Sequence, residues 1–298
     1  MKQINGDEPS NIFTKLLYFY QCIKNHRKGT DESCKIYSPT LTISNLNTFD
    51  KSPPRLLSDA LFNSIDYENL KLQLNSNLNF FDIGCGSGKY GTLLKKISNK
   101  FFGNYTGLDL YKNKEYPPEF NHINDTAENC FKYIDSKINF VLSHSALEHM
   151  EKDIIIIDEI TKKLNENNTN FIQIHIVPAS KSLWLYLLHG YRQYSKKNLS
   201  YISSQLKKKY DVDTSIIPLG GKSSFWLHLR YITLPYYFRK WILKDKIFKW
   251  SDQKDIEKKI IKSVNSELNC KNQNPIFWAF IINSKNIKIK DKLFKNFY

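Results

Sequence analysis

The sequence predicts a doubly wound α/β sheet, and three observations predict it. The first is one stretch, residues 79–91, Asn-Phe-Phe-Asp-Ile-Gly-Cys-Gly-Ser-Gly-Lys-Tyr-Gly. An apolar run ends in Asp82, glycines follow at 84, 86 and 88, and Leu93, Leu94 and Ile97 then share one helical face. That is a strand, a tight turn and a helix start in direct succession. The second observation is the alternation of short apolar runs with helical patterns, as in parallel strands joined by crossover helices. The third is size: 298 residues with 41% hydrophobic content suffice for one large α/β unit with additions, or for two small ones.

Each element follows in order. Residues 11–28 carry an aromatic-rich helical pattern, with Phe13, Leu16, Leu17, Phe19, Tyr20 and Ile23, closed by Lys24, His26, Arg27 and Lys28. After a polar stretch, the prolines at 53 and 54 start an amphipathic helix over residues 56–65, because proline is preorganised for the first helical turn. Residues 1–77 are expected to form a helical cap. The first strand precedes Gly84, and residues 105–110, Tyr-Thr-Gly-Leu-Asp-Leu, read as the second. Residues 123–127, Ile-Asn-Asp-Thr-Ala, leave the third. The fourth, within 138–150, opens onto a Ser-His-Ser loop. The isoleucine run at 154–157 alone would suit a strand, but Asp158, Glu159, Lys162 and Lys163 favour a helix over 153–164. Residues 170–177 form the fifth strand, ended by Pro178. Residues 183–209 look helical, 212–219 form the sixth strand and 275–282 the seventh. The expected organisation is therefore a cap (1–77), a main domain (78–285) with a helical insertion at 222–270, and a tail (286–298). No internal repeat is evident.

Composition narrows the partners. The net charge is +15, and lysine supplies most of it: the arginines are Arg27, Arg55, Arg192, Arg230 and Arg239. Lysine is spread along the chain, whereas a nucleic-acid footprint clusters and uses arginine for bidentate contacts. Nucleic acid is therefore not the expected partner. Cys22, Cys34, Cys85, Cys130 and Cys270 form no C-x-x-C pair and no metal spacing, which suits a reducing, cytoplasmic setting and predicts no metal site. The opening residues lack the apolar core of a signal peptide. No apolar stretch approaches the roughly 18 residues that span a bilayer. Residues 225–241 interleave Trp, Tyr and Phe with Arg and Lys. Such a segment packs over a sheet edge, covers a cleft, meets a partner, or lies as an interfacial helix on the inner face of the membrane. Oligomeric state leaves no trace in the sequence.

The glycine spacing separates cofactor classes. A dinucleotide loop reads G-x-G-x-x-G, its third glycine allowing close helix–strand packing. Here the spacing is G-x-G-x-G, with an acid two residues before the first glycine. Asp82-Ile-Gly-Cys-Gly-Ser-Gly88 resembles motif I of the class I S-adenosylmethionine (SAM)-dependent methyltransferases. Residues 138–150 resemble the passage of small-molecule methyltransferases from an apolar strand into Leu-Glu-His. They do not resemble the Asn/Asp-Pro-Pro-Tyr motif of enzymes that methylate exocyclic amines of bases. The resemblance covers about residues 78–180 well, and the rest by element order.

That resemblance implies a Rossmann-like, seven-stranded mixed sheet in the order 3-2-1-4-5-7-6, with the last strand antiparallel. It implies SAM as the cofactor, held by Asp82, Gly84, Cys85, Gly86 and Gly88 of the loop, Asp109 and Leu110 after the second strand, Asp125 and Thr126 after the third, and Ser143 in the fourth. Asp109, 21 residues past Gly88, can accept both ribose hydroxyls. Asp125 matches the acid that contacts the adenine amino group, and it equally suits an ordinary helix N-cap. An NAD or FAD site remains the competing cofactor reading, and an RNA-binding or scaffold protein with a degenerate fold the non-enzymatic one.

Methyl transfer from a sulfonium is an in-line displacement, accelerated by holding the acceptor about 3 Å from the methyl. A hydroxyl acceptor must also lose a proton, and histidine is suited to take it. Ligands of doubly wound sheets sit outside the C-terminal strand ends. His144, after the fourth strand, and His175, near the end of the fifth, are the candidate bases, the bland alternative for each being a satisfied structural histidine. Glu148 and His149 resemble an acid–histidine pair that some quinone-pathway methyltransferases use for a metal, but no third ligand is identifiable. Tyr90, His189, Tyr191 and Arg192 are candidate acceptor-binding residues, able to hydrogen-bond sugar hydroxyls or simply to pack. The expected acceptor is a small molecule, or a sugar of a surface-polysaccharide pathway. The second preference rests on the lead-in Pro-Pro-Arg-Leu-Leu-Ser-Asp at 53–59, which resembles methyltransferases of bacterial polysaccharide pathways. A quinone-like or lipid-linked acceptor is the alternative.

Overall fold

Eight strands form one sheet: β1 Lys35–Ile36, β2 Leu78–Ile83, β3 Phe102–Asp109, β4 Asn121–Asn124, β5 Phe140–His144, β6 Ile172–Pro178, β7 Val212–Leu219 and β8 Phe277–Ser284. Their spatial order is β1-β7-β8-β6-β5-β2-β3-β4. β8 runs antiparallel to both β6 and β7, and the other pairings are parallel. Counting β2 to β8 as the first to seventh strands, this is the order 3-2-1-4-5-7-6 read from the other edge, with the last strand antiparallel as expected. The addition is β1, which pairs Lys35 and Ile36 with Ser215 and Ile216 at the β7 edge. Two residues carry too little periodicity to be read from sequence. The computed structural model describes residues 12–26, 29–30, 34–44, 46–48, 51–185, 190–235, 254–271, 274–289 and 293–295.

The central strands β2, β5 and β6 are apolar on both faces, as parallel strands covered by crossover helices must be. Phe80, Phe140, Leu142, Ile172, Ile174 and Ile176 point into one core, whereas Phe81, Val141, Val177 and Phe280 point into the other. The first core is closed by α2 (Pro53–Asn63), α3 (Tyr67–Leu74), α4 (Lys89–Ser98) and α8 (Lys254–Asn265). In α2 the Pro53-Pro54 start holds, and Leu56, Leu57, Ala60 and Leu61 are fully buried. In α4, Leu94 is buried, with Leu93 and Ile97 partly buried against the same core. The second core lies under α5 (Asp153–Glu166) and α6 (Lys196–Lys209). The isoleucine run is indeed helical, with Ile156, Ile157 and Ile160 buried in α5.

One expectation changes. The helix expected over 183–209 is shorter: a 3-10 turn at Ser180–Trp184 precedes α6, which begins only at Lys196. A Ser195–Asn198 capping box fixes that start, and Gly190, at φ +79°, turns the chain before it. In the insertion, α7 (Lys222–His228) runs into a π-helical turn, Leu229–Thr233. Residues 236–241 of the aromatic segment lie outside the described residues. No described helix is long and apolar enough to cross a membrane. N-terminal α1 (Ile12–His26) leaves Phe13, Leu16 and Tyr20 exposed.

Candidate functional site

The strand order reverses at β2: the chain steps outward through β3 and β4, then returns as β5 on the other side of β2. The loops leaving β2 and β5 therefore part in opposite directions and open a crevice, where doubly wound sheets take their ligands. The glycine loop fills one side of it. The Gly84 and Cys85 N–H groups donate to the Leu108 carbonyl at 2.8 and 3.2 Å, tying the loop to the end of β3. Gly84 has φ +73°, and a Cβ there would lie 2.5 Å from the Ala146 Cβ on the β5 side. Gly86 has φ +53°, and a Cβ there would meet nothing within 4 Å. Gly84 is thus required by packing, and Gly86 keeps the crevice open.

Two acids follow at the ends of the next strands. Asp109 accepts the Gly86 N–H on Oδ2 at 2.8 Å and the Leu110 N–H on Oδ1 at 2.7 Å. Each carboxylate oxygen has a second lone pair, so both can still take a ligand hydroxyl. Asp125 accepts the Tyr133 hydroxyl (2.6 Å), the Asn129 amide (2.9 Å) and the Thr126 N–H (2.6 Å). Those bonds, led by Tyr133, hold its carboxyl below the usual range. It therefore organises its own turn as well as facing the crevice.

Gly84, Gly86, Asp109, Leu110, Asp125 and Thr126 all line one cavity of about 220 Å³. Tyr191 closes it, its ring edge-on to Tyr18 at 5.1 Å between centroids. Sequence reasoning missed Glu128 and Ser145 on the same wall, and it weighed His149, which also lies there, only as half of a metal pair. Ser145 holds φ +49°, and its N–H donates to the Ile176 carbonyl at 2.9 Å. Nothing in the sequence marks a serine for that left-handed conformation.

Other predicted residues lie elsewhere. Asp82 is buried beneath the loop, accepting the Tyr105 hydroxyl. Burial pushes its carboxyl up to about 7, with Asp109 adding to the rise and the Tyr105 bond opposing it. Cys85 is buried with its Sγ against Gly107, and burial pushes its thiol up. Gly88, at φ +70°, caps α4 and packs on Tyr116 and Pro117. None of the three is on the cavity wall. Ser143 is fully buried, 2.9 Å from His175 Nδ1.

The histidines part company. His175 is fully enclosed: Ser143 engages Nδ1, and the Gln173 side-chain oxygen lies 3.2 Å from Nε2. Burial lowers its pKa to about 3. With both ring nitrogens engaged in the core, it is not on the cavity wall, and the base role expected of it is withdrawn. His144 is different. Its ring lies 4.9 Å from the Tyr90 ring and nearly parallel to Phe277 at 6.3 Å. Its Nε2 is buried without a hydrogen-bond partner. Burial first, then the nearby Arg55 charge, lowers its pKa to about 3, so the imidazole is neutral at physiological pH.

Arg192 is also corrected. It is buried with Nε 2.8 Å from Asp153 Oδ2, which accepts the Tyr194 hydroxyl at 2.6 Å as well. With its Nε committed to Asp153 and no place on the cavity wall, Arg192 is not where an acceptor would meet it. His189 lies outside the described residues. Tyr90 faces a second cavity, of about 500 Å³, between α2 and the start of α4. Glu148, beneath the first cavity, is buried with one carboxyl oxygen unpartnered and is pushed up to about 8, mainly by burial. Among the described residues, no three His, Cys, Asp or Glu side chains are placed to hold a metal ion.

Strand order and crevice together define a doubly wound α/β protein with an open cavity at the topological switch. No protein-family model and no curated protein matches the chain. Solved structures resemble it at low identity. A SAM-dependent methyltransferase from Archaeoglobus fulgidus is 17% identical over 79% of this chain and 96% of its own, with a TM-score of 0.45. The plantazolicin methyltransferase BamL, in complex with a triazolic desmethylPZN analog and SAH, is 16% identical over 77% and 85%, with a TM-score of 0.45. The plantazolicin methyltransferase BpumL, with a monoazolic analog and SAH, is 15% identical over 78% and 84%, at 0.44.

Proposed function

We propose that the chain is a SAM-dependent methyltransferase acting on an oxygen of a small molecule, or of a sugar in a surface-polysaccharide pathway. The observation that carries this reading is convergence. Three consecutive strand ends, those of β2, β3 and β4, each deliver one expected group to a single cavity at the switch point. Gly84 and Gly86 offer bare backbone, Asp109 offers two carboxylate oxygens to ribose hydroxyls, and Asp125 with Thr126 lies where an adenine amino group would be read.

SAM, when bound, supplies an electrophilic methyl on a sulfonium. The chain supplies position and orientation. A loop tied to the Leu108 carbonyl and packed on Ala146 cannot drift, and a fixed ligand is most of what an in-line displacement needs. His144 stands at the end of β5 with an unpartnered Nε2. Burial, which lowers its pKa to about 3, makes it a weak base. Its role is therefore to accept the hydrogen bond of an acceptor hydroxyl and orient it rather than to hold the proton.

Calorimetry with SAM, SAH and NAD tests the reading. Micromolar binding of SAM and SAH is expected. Asp109→Asn should weaken SAH roughly 10- to 100-fold, the value of hydrogen bonds to a charged group. Binding of NAD without SAM would overturn the assignment. Once an acceptor is in hand, His144→Ala should lower turnover and leave SAH affinity unchanged; unaltered turnover would remove His144 from the acceptor's surroundings.

A further inference from the structure

We propose that the second cavity is the methyl-acceptor site and that it takes an acceptor bearing an anionic group, a carboxylate or a phosphate. The inference rests on the methyltransferase reading for the word acceptor; the anion site itself rests on the cavity. The glycine loop borders both cavities. Gly84 and Gly86 face the first, whereas Ser87 and Tyr90, just along the chain, face the second. The two cavities are thus neighbours at consecutive residues of one loop, Gly86 and Ser87, as the sites of a donor and an acceptor must be.

The second cavity is charged asymmetrically. Lys51, Arg55, Lys89 and Lys96 line it, against Asp59 and Glu115. Lys51 is committed to Asp59. Arg55 and Lys89 are exposed and, among the described residues, in no salt bridge. Helix α4 begins here without an acid in its first turn, so its positive end adds to the field.

A polar side chain inside also waits for a partner. Tyr90 is 7% exposed, and its hydroxyl sits against the Asp59 carboxyl without reaching an ordinary hydrogen bond. Its ring touches His144, whose Nε2 is likewise buried and unpartnered. Native structures leave few such groups unsatisfied, and those they leave mark ligand or catalytic positions. Arg55 lies near enough to act electrostatically on Tyr90, Asp59 and His144 alike. An acceptor anchored at Arg55 and Lys89 by its anionic group would place its neutral end against Tyr90, behind whose ring His144 lies.

The test uses the full chain with saturating SAH, titrated by calorimetry with inorganic pyrophosphate in one arm and succinate in the other. Saturable binding of one of them is expected, and which arm binds tells phosphate from carboxylate. The double variant Arg55→Gln/Lys89→Gln should lose at least tenfold in that affinity. Lys207→Gln/Lys208→Gln, on α6, should lose none. SAH affinity should be the same in all three proteins, which also shows that the variants are folded. The proposal falls if neither anion saturates, or if the double variant binds like the parent. Failure of SAH to bind the parent while an anion still titrates would sink the methyltransferase reading and leave the anion site standing.

Discussion

Gly84 and Gly86 stand two residues apart in one loop, yet replacing each with alanine should break different things. Both have left-handed backbones, φ +73° and +53°, in which a Cβ costs about 1–2 kcal/mol. At Gly84 the new methyl would also lie 2.5 Å from the Ala146 Cβ, which forces the loop or the turn after β5 to move. Overpacking of that kind costs about 1–3 kcal/mol more. Gly84→Ala should therefore lose about 2–5 kcal/mol, and Gly86→Ala about 1–2 kcal/mol. At Gly86 the methyl meets no neighbour within 4 Å because it enters the cavity, so the loss there is in SAH affinity, tenfold or more. Urea unfolding followed by tryptophan fluorescence gives the first comparison, and calorimetry gives the second. Adding Ala146→Gly to Gly84→Ala should restore the overpacking share, a coupling that a double-mutant cycle measures. Equal destabilisation by the two alanines would refute the contact between the loop and the turn after β5. Full SAH affinity in Gly86→Ala would refute the assignment of the cavity.

Two further outcomes follow from buried carboxylates. Asp82 has its pKa raised from 3.8 to about 7, so the folded chain holds this proton more tightly than the unfolded chain. The sign follows: the group costs nothing below pH 3.8, costs progressively more as pH rises toward 7, and is constant above it. The shift corresponds to at most about 4 kcal/mol. Asp82→Asn keeps an acceptor for Tyr105 and removes the charge, so its stability relative to the parent should rise between pH 4.5 and 8; a flat difference in urea unfolding across that range would contradict the burial. Asp153→Ala leaves Arg192 buried without its carboxylate and Tyr194 without its acceptor, and should cost about 3–5 kcal/mol in the same assay. A loss below about 1 kcal/mol would mean that the ion pair is not formed.

The sheet was legible because its signals are local. The central strands β2, β5 and β6 are short apolar runs closed by Gly84, His144 and Pro178, and the order of elements constrains the arrangement of the rest. The cavity side of Gly84, Gly86, Asp109 and Asp125 was legible for the same reason: these residues sit at strand ends, where the fold presents ligands. His175 shows where such reasoning stops. Alternation correctly places it on the same face as Gln173, but both faces of this sheet are buried, so facing inward does not mean facing a ligand. The partner of Arg192, Asp153, is invisible from its own neighbourhood because it lies at the start of α5, far back along the chain from the loop that carries Arg192. Arg55, Asp59 and Tyr90 meet only because α2 packs across the start of α4, a long-range contact with no local trace.

The two-residue strand β1 has a consequence for how copies of this chain behave in concentrated solution. A sheet's outermost strands present unpaired N–H and C=O groups on which another chain can build. Here one border is β4, only four residues, Asn121–Asn124, with exposed asparagines at both ends. The other would be the eight-residue β7, but β1 occupies its middle and sets the Lys35 ammonium 3.8 Å from Asp213 across the rim. Neither border is left as a long, flat, uncharged template. The chain thus carries its own guard against edge-to-edge aggregation, at the cost of two residues.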